Sequence, residues 1–196
     1  LHVPHVTTKK AVEHIRRMKL KNNDITAEAS PHHLYFNETD LMDYDTNLKV
    51  APPIRTEEDR QALIQGLKDG SIDCVATDHA PHRLEEKETT FDIASCGMIG
   101  LESCFGAMNK VLCKDNGFKL EKVIELITVN PRKIMQFNQD LFALDSLAEI
   151  TVIDQKKDWK FSQKDIKSKS QNSPFIGKPL TGKILHTISK NFISSN

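Results

Sequence analysis

The sequence has 196 residues, 38% of them hydrophobic, with 27 basic and 27 acidic side chains and a formal net charge of zero. That length suits one ordinary domain or part of a larger one, and the balanced charge argues against a protein built around nucleic acid. No run of about 18 apolar residues is present to span a bilayer, and no basic region followed by an apolar stretch marks a secretory signal.

The chain opens at Leu1, without Met, and runs straight into a strand-like segment, Leu1 to Val6, so it reads as a fragment. Thr8 to Met18 follows as a helix, with Ala11, Val12, Ile15 and Met18 on one face. Ile25 to Ala29 is the next predicted strand. Thr56 with Asp59 three residues later fits a capping box for a helix whose stripe is Leu63, Ile64 and Leu67 and which Gly70 ends. Ile72 to Thr77 is a mostly apolar strand of the kind buried in a parallel sheet. Gly100 to Cys113 and Leu120 to Met135 read as helices, the second kinked or split at Pro131. This alternation is the rhythm of an α/β fold.

From about residue 143 the character changes. Leu147 to Asp154 and Gly182 to Ile188 are β-rich, with no convincing helical period between them. From Lys156 onward there are nine Lys and two Asp, against 18 basic and 25 acidic residues before it. That tail lacks Arg and interleaved aromatics and reads as a solvated surface. Three βα units cannot close an eight-stranded barrel, so the sheet is either open and doubly wound or the back half of a barrel.

The most informative stretch is Thr77-Asp78-His79-Ala80-Pro81-His82, which follows a buried-type strand. It places Asp78 at the strand's C-terminal end, where barrels and open α/β sheets alike carry their reactive groups. The alternative is an Asp that only caps the next turn, with His82 merely exposed. His5 ends the first strand on the same rim, and imidazole with carboxylate suits Zn²⁺ or a similar ion. Pro31-His32-His33 lands there too, with Glu28 just before it, and at most one of the adjacent imidazoles is expected to face the site. Lys49 to Arg55 is a loop stiffened by two prolines, and Phe91 to Gly100 is a surface loop over the rim. Cys74, Cys96, Cys104 and Cys113 show no CxxC spacing and read as reduced thiols of a cytoplasmic protein.

Taken together, HVTTKKAVEHI, ITAEASPHHL, KVAPPIRTEEDRQALIQGLKDGSIDCVATDHAPH, EEK, GMIGLES and NSPFIGKPLTGKILHT resemble class I dihydroorotases of the metal-dependent amidohydrolase superfamily. The resemblance implies the C-terminal part of a (β/α)8 barrel with a small β-sandwich appendage: residues 1–142 as the last three βα units and 143–196 as a composite β domain. It implies reversible cyclisation of N-carbamoyl-L-aspartate to L-dihydroorotate at a zinc centre with two ions per complete site. On the matching positions, His5 and Asp78 are metal ligands and Asp78 is also the catalytic acid and base. His82, Cys96 and Gly97 match substrate-contacting positions, as does Ala51, where the family commonly has Asn. The family's HxH pair and remaining ligands match nothing here, so the 196 residues alone are expected to be inactive and to leave apolar faces uncovered. Partners implied are the small-molecule substrate, a second copy in a homodimer, or aspartate transcarbamoylase. The other readings are a non-catalytic dihydroorotase-like subunit that scaffolds that enzyme, and another cyclic amidohydrolase of hydantoinase or allantoinase type.

Overall fold

Three short strands, β1 (His2–Val3), β2 (Thr26–Ala29) and β3 (Cys74–Val75), pair in parallel in the order β1-β2-β3. The computed structural model describes residues 1–21, 24–140 and 142–195. Register pairs His2 with Thr26 and Glu28 with Cys74, and the ladder extends past the strands through Val6 N–H to Glu28 O (2.9 Å) and Ala76 N–H to Ala29 O (3.0 Å). Because successive strand residues point to opposite faces, Ala27 and Ala29 are fully buried while Thr26 and Glu28 stay half-buried on the other face. The alanines pack against α1 (Lys9–Lys19) and α3 (Glu57–Asp69) through Val12, Ile15, Leu63, Ile64 and Leu67. Met18, expected on the buried stripe, is 48% exposed, because the packed stripe ends with Ile15.

The ends of these helices follow from particular residues. Thr8 caps α1 by accepting from Ala11 N–H (3.2 Å), and Thr56 caps α3 by accepting from Asp59 N–H (3.2 Å). Only half of the expected capping box forms. The Asp59 carboxylate accepts from the Thr56 hydroxyl and from the Lys9 amide (2.7 Å), so it joins the two helices. Gly70 ends α3 at φ +81°, a left-handed conformation that Gly adopts at little steric cost.

A short α2 (Pro31–Tyr35) directly after β2, and α4 (Leu84–Lys87) after the His82 loop, are not distinguished by periodicity, because each is barely one turn. The helix predicted from Gly100 is α5 (Leu101–Met108), which runs on as π-type turns over Asn109–Lys114. Beyond it lie α6 (Leu120–Ile124), a π-type segment (Glu125–Val129) and α7 (Asn130–Ile134). Pro131 therefore sits in the first turn of α7, where it has no interior hydrogen bond to break. The split expected at Pro131 takes the form of a widened turn just before it.

The remaining strands, β4 (Glu149–Lys160), β5 (Pro179–Ser189) and β6 (Phe192–Ser195), form a separate antiparallel sheet in the order β4-β5-β6. Strand β4 outruns the predicted Leu147–Asp154. Its later half carries exposed Lys156 and Lys157 and breaks register between Asp154 and Asp158, so alternation does not reveal it. None of the nine lysines from Lys156 onward is buried. Phe161, Phe175 and Leu180, all buried, join a second core with Phe36, Leu48, Val50, Ile54, Met98 and Ala107. Burial of three such side chains is worth on the order of 5–9 kcal/mol, and Asn109 adds amide bonds to Gln155 O and Thr181 O (2.9 Å each). The sheet is fastened to the α/β body by apolar packing as well as by the chain.

Candidate active site

Parallel strands bring their C-terminal ends to one rim, so His5, Ser30 and Asp78 arrive there together from β1, β2 and β3. His5 has φ +48° and Asp78 φ +49°, the left-handed region that non-glycine residues seldom occupy. Each such residue costs about 1–3 kcal/mol and persists only where its surroundings hold it. Strand ends that turn sharply outward here aim both side chains at one point: His5 Nε2 lies 3.7 Å from Asp78 Oδ1, with the two side chains 28% and 29% exposed. That is too long for a hydrogen bond, yet short enough for one ion with bonds of about 2.0–2.2 Å to touch both atoms.

Behind this pair stands Glu28. Its Oε1 lies 3.0 Å from His5 Nδ1, and its Oε2 is hydrogen-bonded to His2 Nε2 at 3.0 Å. His2 Nδ1 is in turn bonded to Thr26 Oγ1 (2.8 Å), and His5 Nδ1 has a second neighbour in Ser30 Oγ (3.4 Å). Cys74 is buried on the same face. Burial, followed by the negative charge of Glu28 and Asp73, pushes its thiol up to about 12. His2, Glu28 and Cys74 present possible ligand atoms all within 4.8 Å of one another.

His32 and His33 are both buried, with ring centroids 4.2 Å apart. His33 donates from Nε2 to Pro52 O (2.9 Å), which makes it the neutral tautomer with a bare Nδ1. Burial holds its imidazolium form down to about pH 4, offset in part by the Pro52 carbonyl and by Asp78. Burial, together with His33 and His5, also holds His32 well below the ordinary histidine range. The two rings are neutral packing groups beneath the rim, and His33 ties the proline loop to it.

The loops carrying His82 and Cys96 are laced together. His82 Nε2–H donates to Cys96 O (2.9 Å), and its Nδ1 lies 3.2 Å from Glu86 Oε2, so both ring nitrogens face acceptors of the protein. Any contact from His82 to a substrate requires exchanging one of them. His79 is structural, with Nδ1 accepting from Gly100 N–H (3.1 Å). Gly97 donates its N–H to Lys49 O (2.8 Å), and Gly97 O accepts from Lys87 Nζ (2.9 Å) and Asn172 Nδ2 (3.2 Å). At φ +137°, a Cβ here would lie 2.6 Å from Ala80 Cβ and 2.8 Å from His82 Nε2, so only Gly fits. Cys96 is exposed, and its contribution is the backbone carbonyl. Ala51 is exposed between two anchors of the same loop, Lys49 O on Gly97 and Pro52 O on His33.

The sequence assigns no role to three residues of this network, although Lys87 ends the EEK segment and Asn172 opens NSPFIGKPLTGKILHT. Asn172 accepts from His82 N–H (3.2 Å) and donates to Ala80 O (3.0 Å) and Gly97 O, reaching back 75–92 residues. Lys87 is buried with Nζ on Ser95 O and Gly97 O, and desolvation lowers its affinity for a proton. His2 lies three residues before His5. Repetition of His within one strand segment was the available hint.

The donor set fits a divalent metal. His5 Nε2 and Asp78 Oδ1 are an imidazole and a carboxylate at bridging distance on a solvent-reachable rim, and both are common ligands of Zn²⁺ and its neighbours. A catalytic zinc ordinarily takes three protein ligands, so this pair supplies part of a complete set.

No known family model matches the chain. Comparison with curated proteins gives matches along nearly its whole length. The dihydroorotase of Caldicellulosiruptor saccharolyticus is 42% identical over 181 residues, 92% of this chain and 42% of that protein. The dihydroorotase of Elusimicrobium minutum is 42% identical over 187 residues, 95% of this chain and 43% of that protein. The chain is homologous to dihydroorotases. It spans less than half the length of these dihydroorotase relatives. Among solved structures, the L-hydantoinase (dihydropyrimidinase) of Arthrobacter aurescens superposes with a TM-score of 0.85 at 26% identity, covering 100% of this chain and 45% of that one. An inactive dihydroorotase-like domain of a Chaetomium thermophilum CAD-like multifunctional protein gives a TM-score of 0.68 at 20% identity, covering 98% and 50%. The hydantoinase neighbour agrees with the α/β fold described above.

Proposed function

We propose that this chain is the C-terminal part of a zinc-dependent dihydroorotase, with residues 1–142 as the last three βα units of a (β/α)8 barrel and residues 143–196 as a small composite β domain. Dihydroorotase relatives about 40% identical over 92–96% of the chain support it. The single observation that carries the site is His5 Nε2 facing Asp78 Oδ1 across 3.7 Å from two strained strand ends. The reaction is the reversible cyclisation of N-carbamoyl-L-aspartate to L-dihydroorotate.

In this reading His5 and Asp78 hold zinc, two ions per complete centre, together with ligands from outside these 196 residues. When bound there, such an ion would supply Lewis-acid polarisation of the amide carbonyl and a lowered pKa for an attacking water. Asp78 has a second carboxylate oxygen with which to take the proton of the attacking water and return it to the leaving ring nitrogen. In the synthetic direction the same carboxylate removes a proton from the carbamoyl nitrogen. His82, whose Nε2–H is held by Cys96 O, exchanges that bond to hold a substrate carboxylate or carbonyl. Cys96 and Gly97 shape the wall beside it, while Ala51 offers no polar contact where the family commonly has Asn. Cytoplasmic residence, and a homodimer or a complex with aspartate transcarbamoylase, complete the reading.

The test is turnover by the whole protein that carries this chain, supplied with Zn²⁺. Turnover of L-dihydroorotate above that of hydantoin and allantoin is expected. A preference for either alternative moves the assignment to that amidohydrolase class. Ala51 is the observation that favours a second reading, a non-catalytic dihydroorotase-like subunit. Zinc retention with no turnover of any of the three, unchanged by Ala51→Asn, would decide for it.

A further inference from the structure

We propose that Glu28 is a positioning residue: it fixes His5 as the Nδ1–H tautomer and leaves His5 Nε2 bare and aimed at Asp78. The inference rests on the reading of His5 as a metal ligand, and it extends that reading from the rim to the layer beneath.

The argument is one of donors and acceptors. An ionised carboxylate can only accept. Glu28 Oε2 is hydrogen-bonded to His2 Nε2, and Glu28 Oε1 stands 3.0 Å from His5 Nδ1 as a close charge contact, where a proton on Nδ1 is attracted and a bare lone pair is repelled. For His2 the other nitrogen then accepts, and the Thr26 hydroxyl stands 2.8 Å from Nδ1 to donate. For His5, Nδ1 is also hydrogen-bonded to Ser30 Oγ (3.4 Å), but a hydroxyl serves either tautomer, so the choice is left to Glu28. The lone pair of His5 is thereby left on Nε2, the nitrogen that faces Asp78 at 3.7 Å. The Nε2–H tautomer would turn a bare Nδ1 lone pair toward a carboxylate oxygen and cover the ligand position with a proton. Two strands contribute to this arrangement by register alone, since His2 pairs with Thr26 and Glu28 follows two residues later on the same face.

His2, Glu28 and Cys74 also converge, and a soft ion seated on them would use Glu28 as a ligand instead. The Cys74 thiol is buried among negative groups that disfavour its thiolate, which argues for the positioning role.

Long-range ¹⁵N–¹H spectra of the histidines in the whole protein without metal, assigned by His2→Gln and His5→Gln, test the proposal directly. His5 is expected as Nδ1–H and His2 as Nε2–H. Glu28→Gln leaves one acceptor and one donor in the same volume, so one of the two imidazoles must reverse its tautomer, a change that loss of packing would not produce. The His33 signal, tied to Pro52 O, reports whether each variant is folded. In the whole protein, Zn²⁺ affinity measured against a competing chelator is expected to fall on the order of 10–100-fold in Glu28→Ala and less in Glu28→Gln. His5 found as Nε2–H, or both tautomers unchanged in Glu28→Gln, would overturn the proposal. A sulfur-to-metal charge-transfer band with Co²⁺ that vanishes in Cys74→Ser would also overturn it, by placing the ion on His2, Glu28 and Cys74. His5 found as Nδ1–H in a whole protein that binds no Zn²⁺ would instead refute the metal reading of His5 and leave the Glu28 clamp standing.

Discussion

Gly97→Ala separates steric necessity from conformational preference at the candidate site. A methyl group there would stand 2.6 Å from Ala80 Cβ and 2.8 Å from His82 Nε2, on a backbone at φ +137°. Forcing Ala into that conformation costs about 1–3 kcal/mol, and overpacking against two fixed neighbours adds about 1–3 kcal/mol, for a total of roughly 2–6 kcal/mol. Gly70→Ala is the internal control: φ is +81°, but among the described residues nothing lies within 4 Å of the new Cβ, so only the conformational part applies, about 1 kcal/mol. The difference of about 1–5 kcal/mol, divided by a urea m-value of about 1–3 kcal/mol/M, should place the Gly97 variant's midpoint roughly 0.3–5 M below that of the Gly70 variant in chemical denaturation followed by circular dichroism. Equal midpoints would refute the claim that Ala80 and His82 are held rigidly by the Asn172 and Lys87 network.

Other expectations follow from the same geometry. Because the folded-state proton affinity of His33 drops to about pH 4, against an ordinary 6.5, the unfolded chain binds the extra proton between those values. Its contribution is therefore intact above pH 6.5 and lost as pH falls toward 4, by roughly 3 kcal/mol. His33→Gln, which keeps a donor for Pro52 O, should flatten the difference in urea stability between pH 7 and 4, and an unchanged slope would refute the assignment. Thr56→Ala removes the acceptor of Asp59 N–H and should destabilise by about 1 kcal/mol, seen as a lower thermal midpoint. In the whole protein, His5→Ala and Asp78→Ala should each remove a metal ligand, so that metal analysis after dialysis shows zinc content reduced; full retention in both would remove these residues from the centre.

Much of the rim was legible in the sequence because its signals are local. An apolar run that stops at Thr77 announces a strand end, and Asp78 comes next; His5 stands just after the first strand in the same way. Gly70 and Thr56 also mark their helix ends by chemistry that acts within a few residues. What stayed hidden depends on long separations. Nothing near Asn172 indicates that its amide reaches Ala80 O, Gly97 O and the His82 amide, because each partner is 75–92 residues away. His32 and His33 look alike in sequence, and only their packing shows both buried, with His33 spent on Pro52 O. Strand β4 was underestimated because its exposed Lys156 and Lys157 lie where the ladder slips, so the period of two is broken where it would be needed.

The left-handed backbones of His5 and Asp78 set a trap for anyone who would improve this chain. Gly relaxes at such angles, and Asn tolerates them better than most residues, so a search for thermal stability would nominate these two positions early. Each gain would erase a side chain proposed to hold the metal. Under the proposed function, stability and reactivity are opposed at these two torsion angles. Comparing folding free energy with ion retention, variant by variant, would map that conflict without any knowledge of the substrate.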